Sequence, residues 1–336
     1  MNAYTPIRTP YPKHFRAKMS GFSMVEMMIS ITIGLMIVAA LVGVLTSSSG
    51  STKTNDRTAE LQSNGRYALD HLKRQLRHAG YRGYTPKAPE SGGWTTPTIT
   101  GECGTAGSFV KNIRQAVWGA NDSNPFTTNC IPSASRLQGD VLVVRRTDDS
   151  PTLAANAVAG TPLANTIFLR SSYAVASVLQ GSALPGTVAT GTENFALQEY
   201  VYYISPFTIS ATENPLVPAL YRVALQPDGT MTPELVVSGI EQMQVEYGMA
   251  NADGKGNTQY YTASNIGTAD HSATGATSWD KISSVRIWLL ARNAKAETGY
   301  SNTETYNLSN LVYGPVNDNF RRQIFTTVVQ LRNFRN

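Results

Sequence analysis

A single acidic side chain, Glu26, lies near the start of the longest apolar stretch of this 336-residue chain. The stretch reads GFSMVEMMISITIGLMIVAALVGVL from Gly21 to Leu45, and no charged residue follows Glu26 before Lys53. A carboxylate in such surroundings is costly unless a partner neutralises its charge. Glu26 is therefore a candidate functional residue, and its chemistry would be pairing with a cation in an apolar environment.

Other residues that could bind a ligand form weaker patterns. His71 and His78 are seven positions apart, whereas neighbouring metal ligands on a helix need a spacing of three or four, so we expect a solvated face. Oxygen donors alternate in Asn251–Asn257, around Asp253, as they do in a calcium loop. Lys255 interrupts that pattern and no acid stands at the twelfth position, so we expect a hairpin turn instead. With no recognisable nucleophile, phosphate-binding or zinc motif, we predict no catalytic residue, no metal site, no cofactor and no enzyme.

Arginines are frequent at the end of the chain. They are Arg321, Arg322, Arg332 and Arg335. We expect them to form an exposed strand face, and the alternative is a contact with a partner protein.

The element that holds Glu26 is long enough to cross a membrane, because about 20 mainly apolar residues span a bilayer as an α-helix. Four basic residues and no acidic residue precede it: Arg8, Lys13, Arg16 and Lys18. This flank is typical of a cytoplasmic N-terminal side, so we predict a transmembrane helix over residues 22–45. An ordinary signal peptide or a plain anchor is the alternative. A secretory signal, however, has its cleavage site after the apolar core, whereas the small residue Gly21 precedes this one.

The residues around this junction resemble the class III signal of type IV prepilins and pseudopilins. They are Lys18-Met19-Ser20-Gly21 followed by Phe22-Ser23-Met24-Val25-Glu26. The resemblance implies that residues 1–21 are a leader, that a prepilin peptidase cuts between Gly21 and Phe22, and that Phe22 is N-methylated. It also implies that Glu26 is the family's fifth-position glutamate, which pairs with the N-terminal ammonium of an adjacent subunit. Ser-Met-Val replaces the commoner Thr-Leu-Ile, and the leader is long, which a translation start at Met19 would explain.

Most of the excess positive charge of the chain lies in this leader. The chain has 28 basic and 23 acidic residues, and four of the basic ones lie in the leader, which leaves 24 against 23. This near-neutral balance removes the main support for nucleic-acid binding, so we expect no nucleic-acid partner. Charged residues make up only 15% of the chain, and such a weakly charged surface suits a protein that packs against neighbouring subunits.

Cys103 and Cys130 are the only two cysteines. On the periplasmic side of a membrane they are expected to form a disulfide, worth roughly 3–4 kcal/mol by the loop-closure argument. Two free thiols are the alternative, because the sequence does not determine their geometry.

The helix is predicted to continue beyond the membrane segment, over residues 46–79. Apolar residues fall on one face, at Leu61, Ala68, Leu69, Leu72 and Leu76. The polar stretch Thr46–Thr52, with Gly50, is expected to be frayed or bent. Basic residues in the last turn and Gly80 form a stop signal, so we predict one helix from Phe22 to Ala79.

Residues 80–336 are predicted to form a β-rich head. The predicted strands are Asp140–Arg146, Thr166–Arg170, Glu199–Ser205, Ala219–Leu225, Glu234–Val237, Glu241–Tyr247, Lys281–Arg292 and Arg321–Asn333. Pro227-Asp228-Gly229 is predicted to be a turn, and Pro151–Asn165 and Ala174–Thr192 are predicted to be surface loops. Apolar residues on both faces of Ser284–Leu290 and Tyr200–Tyr203 indicate strands covered on both sides, one of them by the long helix.

The head also resembles that of PilW-type minor pilins. The similar segments are Tyr221-Arg222, Glu234 to Gly248, Ser284 to Arg292 and Phe320 to Asn333, whereas residues 85–200 match no pattern. The resemblance implies an α+β pilin fold and a minor subunit of the type IV pilus. Such a subunit has its head in the periplasm with one pass through the inner membrane, and later lies at the extracellular pilus tip. Its partners would be other minor pilins, the major pilin and a PilY-type tip adhesin, in a complex that initiates polymerisation.

Two other functions are compatible with these features. The head also resembles the J-type minor pseudopilin of type II secretion, which belongs to a different machine, and genomic neighbours would separate the two. A pilin whose head itself takes up DNA or adheres to a surface is the second alternative, and the near-neutral charge weighs against DNA.

Overall fold

The computed structural model describes residues 21–85, 97–105, 107–152, 163–183, 190–250, 258–266 and 278–333. Residues 1–20 of the leader, the calcium-like segment 251–257 and Arg335 lie outside these residues, so the expectations for them stay predictions. The chain divides into two compact units, residues 1–55 and 56–336.

One helix, α1, runs from Met24 to His78 and confirms the predicted long helix. The expected fraying at Thr46–Thr52 is wrong, because this stretch is helical throughout, and the alternative expectation of a bend stays a prediction. Thr46 Oγ1 donates to the Val42 carbonyl at 2.9 Å, and Thr52 Oγ1 donates to the Ser48 carbonyl at 3.0 Å. The hydroxyls thus bond to carbonyls that already belong to the helix, and the backbone stays helical around them. Gly80, with φ of 75°, ends the helical direction of the chain.

Within the second unit, α1 buries the face that its apolar spacing predicts. Leu61, Ala68, Leu72 and Leu76 are buried, while Leu69 is half-buried. Gly65 lies on the same buried face and touches the ring of Phe325, since a Cβ atom built on Gly65 would stand 2.2 Å from Phe325 Cε2. The absence of a side chain at Gly65 therefore sets how closely the helix approaches the strand that carries Phe325.

Thirteen strands and one short helix, α2 (Ser108–Lys111), form the described head. In chain order the strands are β1 (Val117–Ala120), β2 (Val141–Thr147), β3 (Ile167–Ser172), β4 (Ala176–Gln180), β5 (Thr192–Ser205), β6 (Ala219–Leu225), β7 (Met231–Ser238), β8 (Ile240–Ala250), β9 (Thr258–Thr262), β10 (Ile282–Arg292), β11 (Tyr306–Leu308), β12 (Leu311–Tyr313) and β13 (Arg322–Gln330).

These strands form two larger antiparallel sheets and a small hairpin. The first sheet has the order β1-β2-β5-β3-β4, with β6 pairing with β5 and β7 pairing with β6. The second sheet has the order β13-β10-β8-β9, and β11 pairs with β12. One hydrophobic core contains residues from α1 and from both sheets, such as Leu72, Tyr202 and Ile287. The predicted fold class, a long N-terminal helix with a β-rich head, is therefore confirmed.

All eight predicted strands are present, and the turn at Pro227–Gly229 joins β6 to β7. The prediction that Ala174–Thr192 is a loop is wrong for residues 176–180, which pair with β3 as β4. That strand of five residues lies in a segment rich in Ala, Gly, Thr and Ser, a composition that indicates a loop. The expectation of two covered faces holds for the buried end of β5 but only in part for β10, where Arg286 and Trp288 are half-exposed.

Candidate functional site

The start of α1 brings the three N-terminal candidate residues into one short segment. Ser23 precedes the helix and caps it, since the Val25 N–H donates to Ser23 Oγ at 3.4 Å and the Met27 N–H donates to the Ser23 carbonyl at 3.1 Å. Glu26 lies in the first turn, where the unpaired N–H groups of a helix favour a negative charge. Gly21 and Phe22 stand in the non-helical chain just before the cap.

The helix that follows this cap presents apolar side chains on all sides. Phe22 is 85% exposed, and every large apolar side chain from there to Leu45 is at least 53% exposed. The most apolar 18-residue window has a mean hydropathy of 2.6 and none of it is buried within the protein. A surface of this kind needs a membrane or other apolar helices around it, because the exposure of so much apolar surface to water is unfavourable. The segment is thus suited to membrane anchoring by length and composition.

The hydroxyl group of Thr32 in the apolar segment is satisfied within the helix itself. Thr32 Oγ1 donates to the carbonyls of Met28 and Ile29 at 3.0 and 2.9 Å. Glu26, in contrast, carries a full charge that a backbone carbonyl cannot neutralise. It is therefore the group in this segment whose burial would call for a partner from outside the helix.

The two cysteines form the predicted disulfide, with an Sγ–Sγ distance of 1.99 Å. Cys103 is fully buried and belongs to the main core, while Cys130 is half-buried against it. The Asn129 side-chain amide donates to the Cys103 and Gly104 carbonyls at 3.3 and 3.1 Å, which holds the two segments together beside the bond. The disulfide thus has a structural position inside the head.

The two helical histidines do not share the same surroundings, so the predicted solvated face is wrong for His71. Its Nε2 lies 3.0 Å from Tyr202 Oη, because β5 packs against this side of α1. Burial, with smaller effects of Arg222 and Arg74, lowers the pKa of His71 to about 4. His78 is exposed, and its Nδ1 lies 3.1 Å from Asp149 Oδ1. Across the described residues, no group of three or more His, Cys, Asp or Glu side chains could hold a metal ion.

The arginines at the start of β13 are not an exposed strand face, which corrects that prediction. The Arg322 side chain is buried, and its Nη2 donates to Asp318 Oδ2 at 2.6 Å and to Glu241 Oε1 at 3.1 Å. Arg321 Nη2 donates to Glu297 Oε1 at 3.1 Å. The chain between β10 and β13 folds back and supplies two of these carboxylates, of which Asp318 lies four residues before Arg322 and Glu297 is distant in sequence from Arg321. Arg332 is exposed, as the prediction expects.

A second buried charge pair is not indicated by any pattern in the sequence. Arg145 Nε lies 3.8 Å from Glu199 Oε2, and both side chains are almost completely buried. The guanidinium carbon also stands 4.4 Å from the centre of the Phe109 ring. Burial raises the pKa of Glu199 to about 8, against the opposing effect of Arg145. Because neither side chain reaches the surface, the pair is a feature of the core and not a site for substrate.

The C-terminal part of the head is similar to a known protein family. Residues 201–333 match the family model of the type IV pilus-assembly protein W, a range that includes β6 to β13 and the end of β5. No curated protein sequence matches the chain.

One solved structure to which this chain is similar is a type IV-like pilin from Thermus thermophilus. It shares 16% sequence identity, covers 84% of this chain and 100% of its own, and superposes with a TM-score of 0.34. A TM-score below 0.5 does not indicate a common topology. Through residues 201–333, this chain resembles the W family of type IV pilus-assembly proteins, as its head motifs predict.

Proposed function

We propose that this chain is a minor pilin, which enters the type IV pilus through the apolar half of α1. The observation that carries the proposal is the combination of an exposed, apolar helix with a head that matches a pilus-assembly family. Neither feature alone supports this function as well, since many membrane proteins have one apolar helix. The exposed helical surface would be covered first by the inner membrane, with the head in the periplasm, and later by other pilin helices.

The proposed mechanism begins with cleavage between Gly21 and Phe22 by a prepilin peptidase. Cleavage frees an ammonium group at Phe22, which would then be N-methylated and remain positively charged. In an apolar surrounding, the Glu26 carboxylate and an ammonium of an adjacent subunit would neutralise each other. A subunit out of register would leave both charges unpaired, at a cost of roughly 3–5 kcal/mol. Charge pairing would thus select the position of the helix among its neighbours.

The proposed place of this subunit is a complex of minor pilins at the pilus tip. There it would initiate polymerisation of the major pilin and link the filament to a PilY-type adhesin. The low proportion of charged residues, 15% of the chain, supports a head that packs against neighbouring proteins. The disulfide would keep that head intact in an oxidising environment outside the cytoplasm.

A gene deletion with complementation by the full chain tests this function. We expect the deletion to reduce the number of surface pili strongly while leaving type II secretion of folded exoproteins unchanged, and the full chain to restore the pili. We also expect the tagged full chain to co-purify with the other minor pilins from detergent-solubilised membranes. Loss of secretion with normal pili would overturn the proposal and favour the pseudopilin alternative.

A further inference from the structure

One edge of the second sheet lacks the features that usually protect an edge strand. Strand β13 pairs with β10 on one side, and among the described residues no other strand pairs with it. It is nine residues long, and no charged residue, proline or glycine occurs from Gln323 to Leu331. Unprotected edges of this kind are templates for pairing with another chain, and natural proteins usually block them with charges, prolines or short strands.

The other edge strands of the two sheets are protected in these ways. Strand β7 contains Pro233, which has no N–H, and Glu234, which is charged. Strands β1, β4 and β9 have only four, five and five residues. Strand β13 is therefore the exception within the described part of the molecule.

The hydrogen-bond pattern shows which backbone groups of β13 point outward. The Leu331 N–H donates to the Ser283 carbonyl at 2.9 Å, and the Asn293 N–H donates to the Arg321 carbonyl at 3.1 Å. In an antiparallel ladder, residues with this parity direct their N–H and C=O groups toward the partner strand, and the residues between them direct theirs away. Within β13 the outward groups consequently belong to Arg322 and to four uncharged residues, namely Ile324, Thr326, Val328 and Gln330.

The side chains of these outward residues form a mainly uncharged border. Val328 is 50% exposed, and Thr326 and Gln330 are also exposed. On β10, the cross-strand neighbours of Val328 and Thr326 are Arg286 and Trp288. The Arg286 guanidinium is itself engaged, because it lies 3.9 Å from the centre of the Tyr260 ring and 3.3 Å from Glu246 Oε2. An added strand would thus meet β-branched and aromatic surface and no unpaired charge along the strand itself.

We propose that an extended segment of a different polypeptide adds to β13 as a further strand of this sheet. The segment is uncharged over four to six residues, because it faces uncharged side chains, and it carries an acidic residue beside the exposed Arg332. A second copy of this chain fits less well. Antiparallel pairing of two β13 strands over their full length would bring Arg332 of one copy close to Arg321 and Arg322 of the other, where the nearby carboxylates are already paired with those two arginines, so a second copy supplies no acidic partner for Arg332.

Hydrogen exchange at single-residue resolution tests this proposal on the full chain in detergent, alone and in the purified complex with its co-purifying partners. In the isolated chain, the amides of Ile324, Thr326 and Val328 should exchange fast, while those of Phe325 and Thr327 should exchange slowly. In the complex, the outward amides should slow by about tenfold or more. Outward amides that are already slow in the isolated chain, or that stay fast in the complex, would overturn the proposal.

A substitution distinguishes strand addition from mere proximity. Thr326→Pro removes an outward N–H group without removing a hydrogen bond to β10, so the head should still fold. The variant should no longer bind the partner, and its outward amides should no longer be protected from exchange. Thr232→Lys, at an exposed position on the edge strand β7, is the matched control and should keep both. Photo-crosslinks from positions 326, 328 and 330 should map to one partner segment and advance by two residues at each step. Scattered crosslinks, or protection that rises with the concentration of the pure chain, would contradict a different-chain partner.

Discussion

The acidic residues of this protein show how surroundings determine what one side chain does. Glu26 stands in the first turn of an exposed apolar helix, with no cation near it in sequence. Glu241 lies in the core and has both Arg322 and Arg292 within 3.5 Å. Glu241 is already neutralised within the head, whereas Glu26 depends on whatever surrounds α1. Because of this difference, a substitution of Glu26 should test how the helix pairs with its neighbours.

Glu26→Ala should separate assembly from export. The substitution keeps the apolar helix, so membrane insertion and leader cleavage should persist, while co-purification with other minor pilins and the number of surface pili should fall strongly. The physical reason is that the neighbouring ammonium would remain buried without a partner, at a cost of roughly 3–5 kcal/mol. Glu60→Ala, at an exposed position further along α1, is the matched control and should behave as the wild type. Wild-type pili with Glu26→Ala would show that this carboxylate is dispensable.

Gly21→Val should block processing. A branched side chain directly before Phe22 would crowd the bond that the peptidase cuts, while the membrane segment stays unchanged. Intact-mass measurement of the extracted protein should show loss of residues 1–21 plus one methyl group for the wild type, and retention of the leader for the variant. An unprocessed wild-type protein in a host with an active peptidase would refute the predicted cleavage site.

His71 should make the stability of the head depend on pH under acid conditions. Its folded pKa, about 4, lies below the value of 6.5 for the unfolded chain. The unfolded state therefore binds more protons in this range, and stability should fall as the pH drops from 6.5 to 4. Because the ring is partly exposed, we expect a loss of about 1–2 kcal/mol. Denaturant unfolding at several pH values should show that His71→Gln loses less stability than the wild type between pH 6.5 and 4. If the free energy of unfolding falls equally with pH in both proteins, His71 is not the source of the loss.

Among the elements, the contact between α1 and β13 depends on a glycine in the middle of a helix. Glycine is unfavourable at such a position by roughly 0.5–1 kcal/mol relative to alanine. At Gly65, however, the Phe325 ring occupies the space that a Cβ atom would take. Packing between helix and sheet therefore outweighs helix propensity at this site.

Gly65→Ala should consequently destabilise the protein, by about 1–3 kcal/mol, because the Phe325 ring must move. Gly50→Ala is the matched control, since nothing lies within 4 Å of its added Cβ, and it should be neutral or stabilising. Thermal unfolding in detergent, followed by circular dichroism, measures both. Phe325→Leu combined with Gly65→Ala should recover part of the loss, and strictly additive effects would contradict the steric explanation.

At the scale of the whole molecule, the two units differ in what stabilises them. The second unit has its own core, built from α1 and both larger sheets, and a disulfide within it. In the described part of the first unit, the large apolar side chains from Phe22 to Leu45 are exposed, so this part depends on a membrane or on other helices. The head can therefore fold as a unit, while the apolar helix needs an environment that the chain does not supply.

Removal of the disulfide tests how far the head depends on it. Cys103→Ser with Cys130→Ser should lower the free energy of unfolding by roughly 3–4 kcal/mol, without abolishing membrane insertion. Non-reducing peptide mapping of the wild type should recover one linked peptide pair, and chemical reduction should reproduce the stability of the variant. Reaction of both native thiols with an alkylating reagent would exclude the bond in the protein as isolated.

The long helix and the eight longer strands could be predicted from the sequence, while the interpretation of Gly21, Phe22 and Glu26 as a processing and assembly signal also comes from the sequence and stays a prediction. These features depend on local patterns, namely an apolar run, a period of two or a short motif, which the chain carries wherever it folds. The roles of His71, Arg322 and Gly65, in contrast, depend on how the folded chain packs. Their partners, Tyr202, Asp318 with Glu241, and Phe325, are brought to them by the packing of α1 and the sheets. Apart from Asp318, which precedes Arg322 by four residues, these partners come from distant segments, so no spacing along the chain could have indicated them.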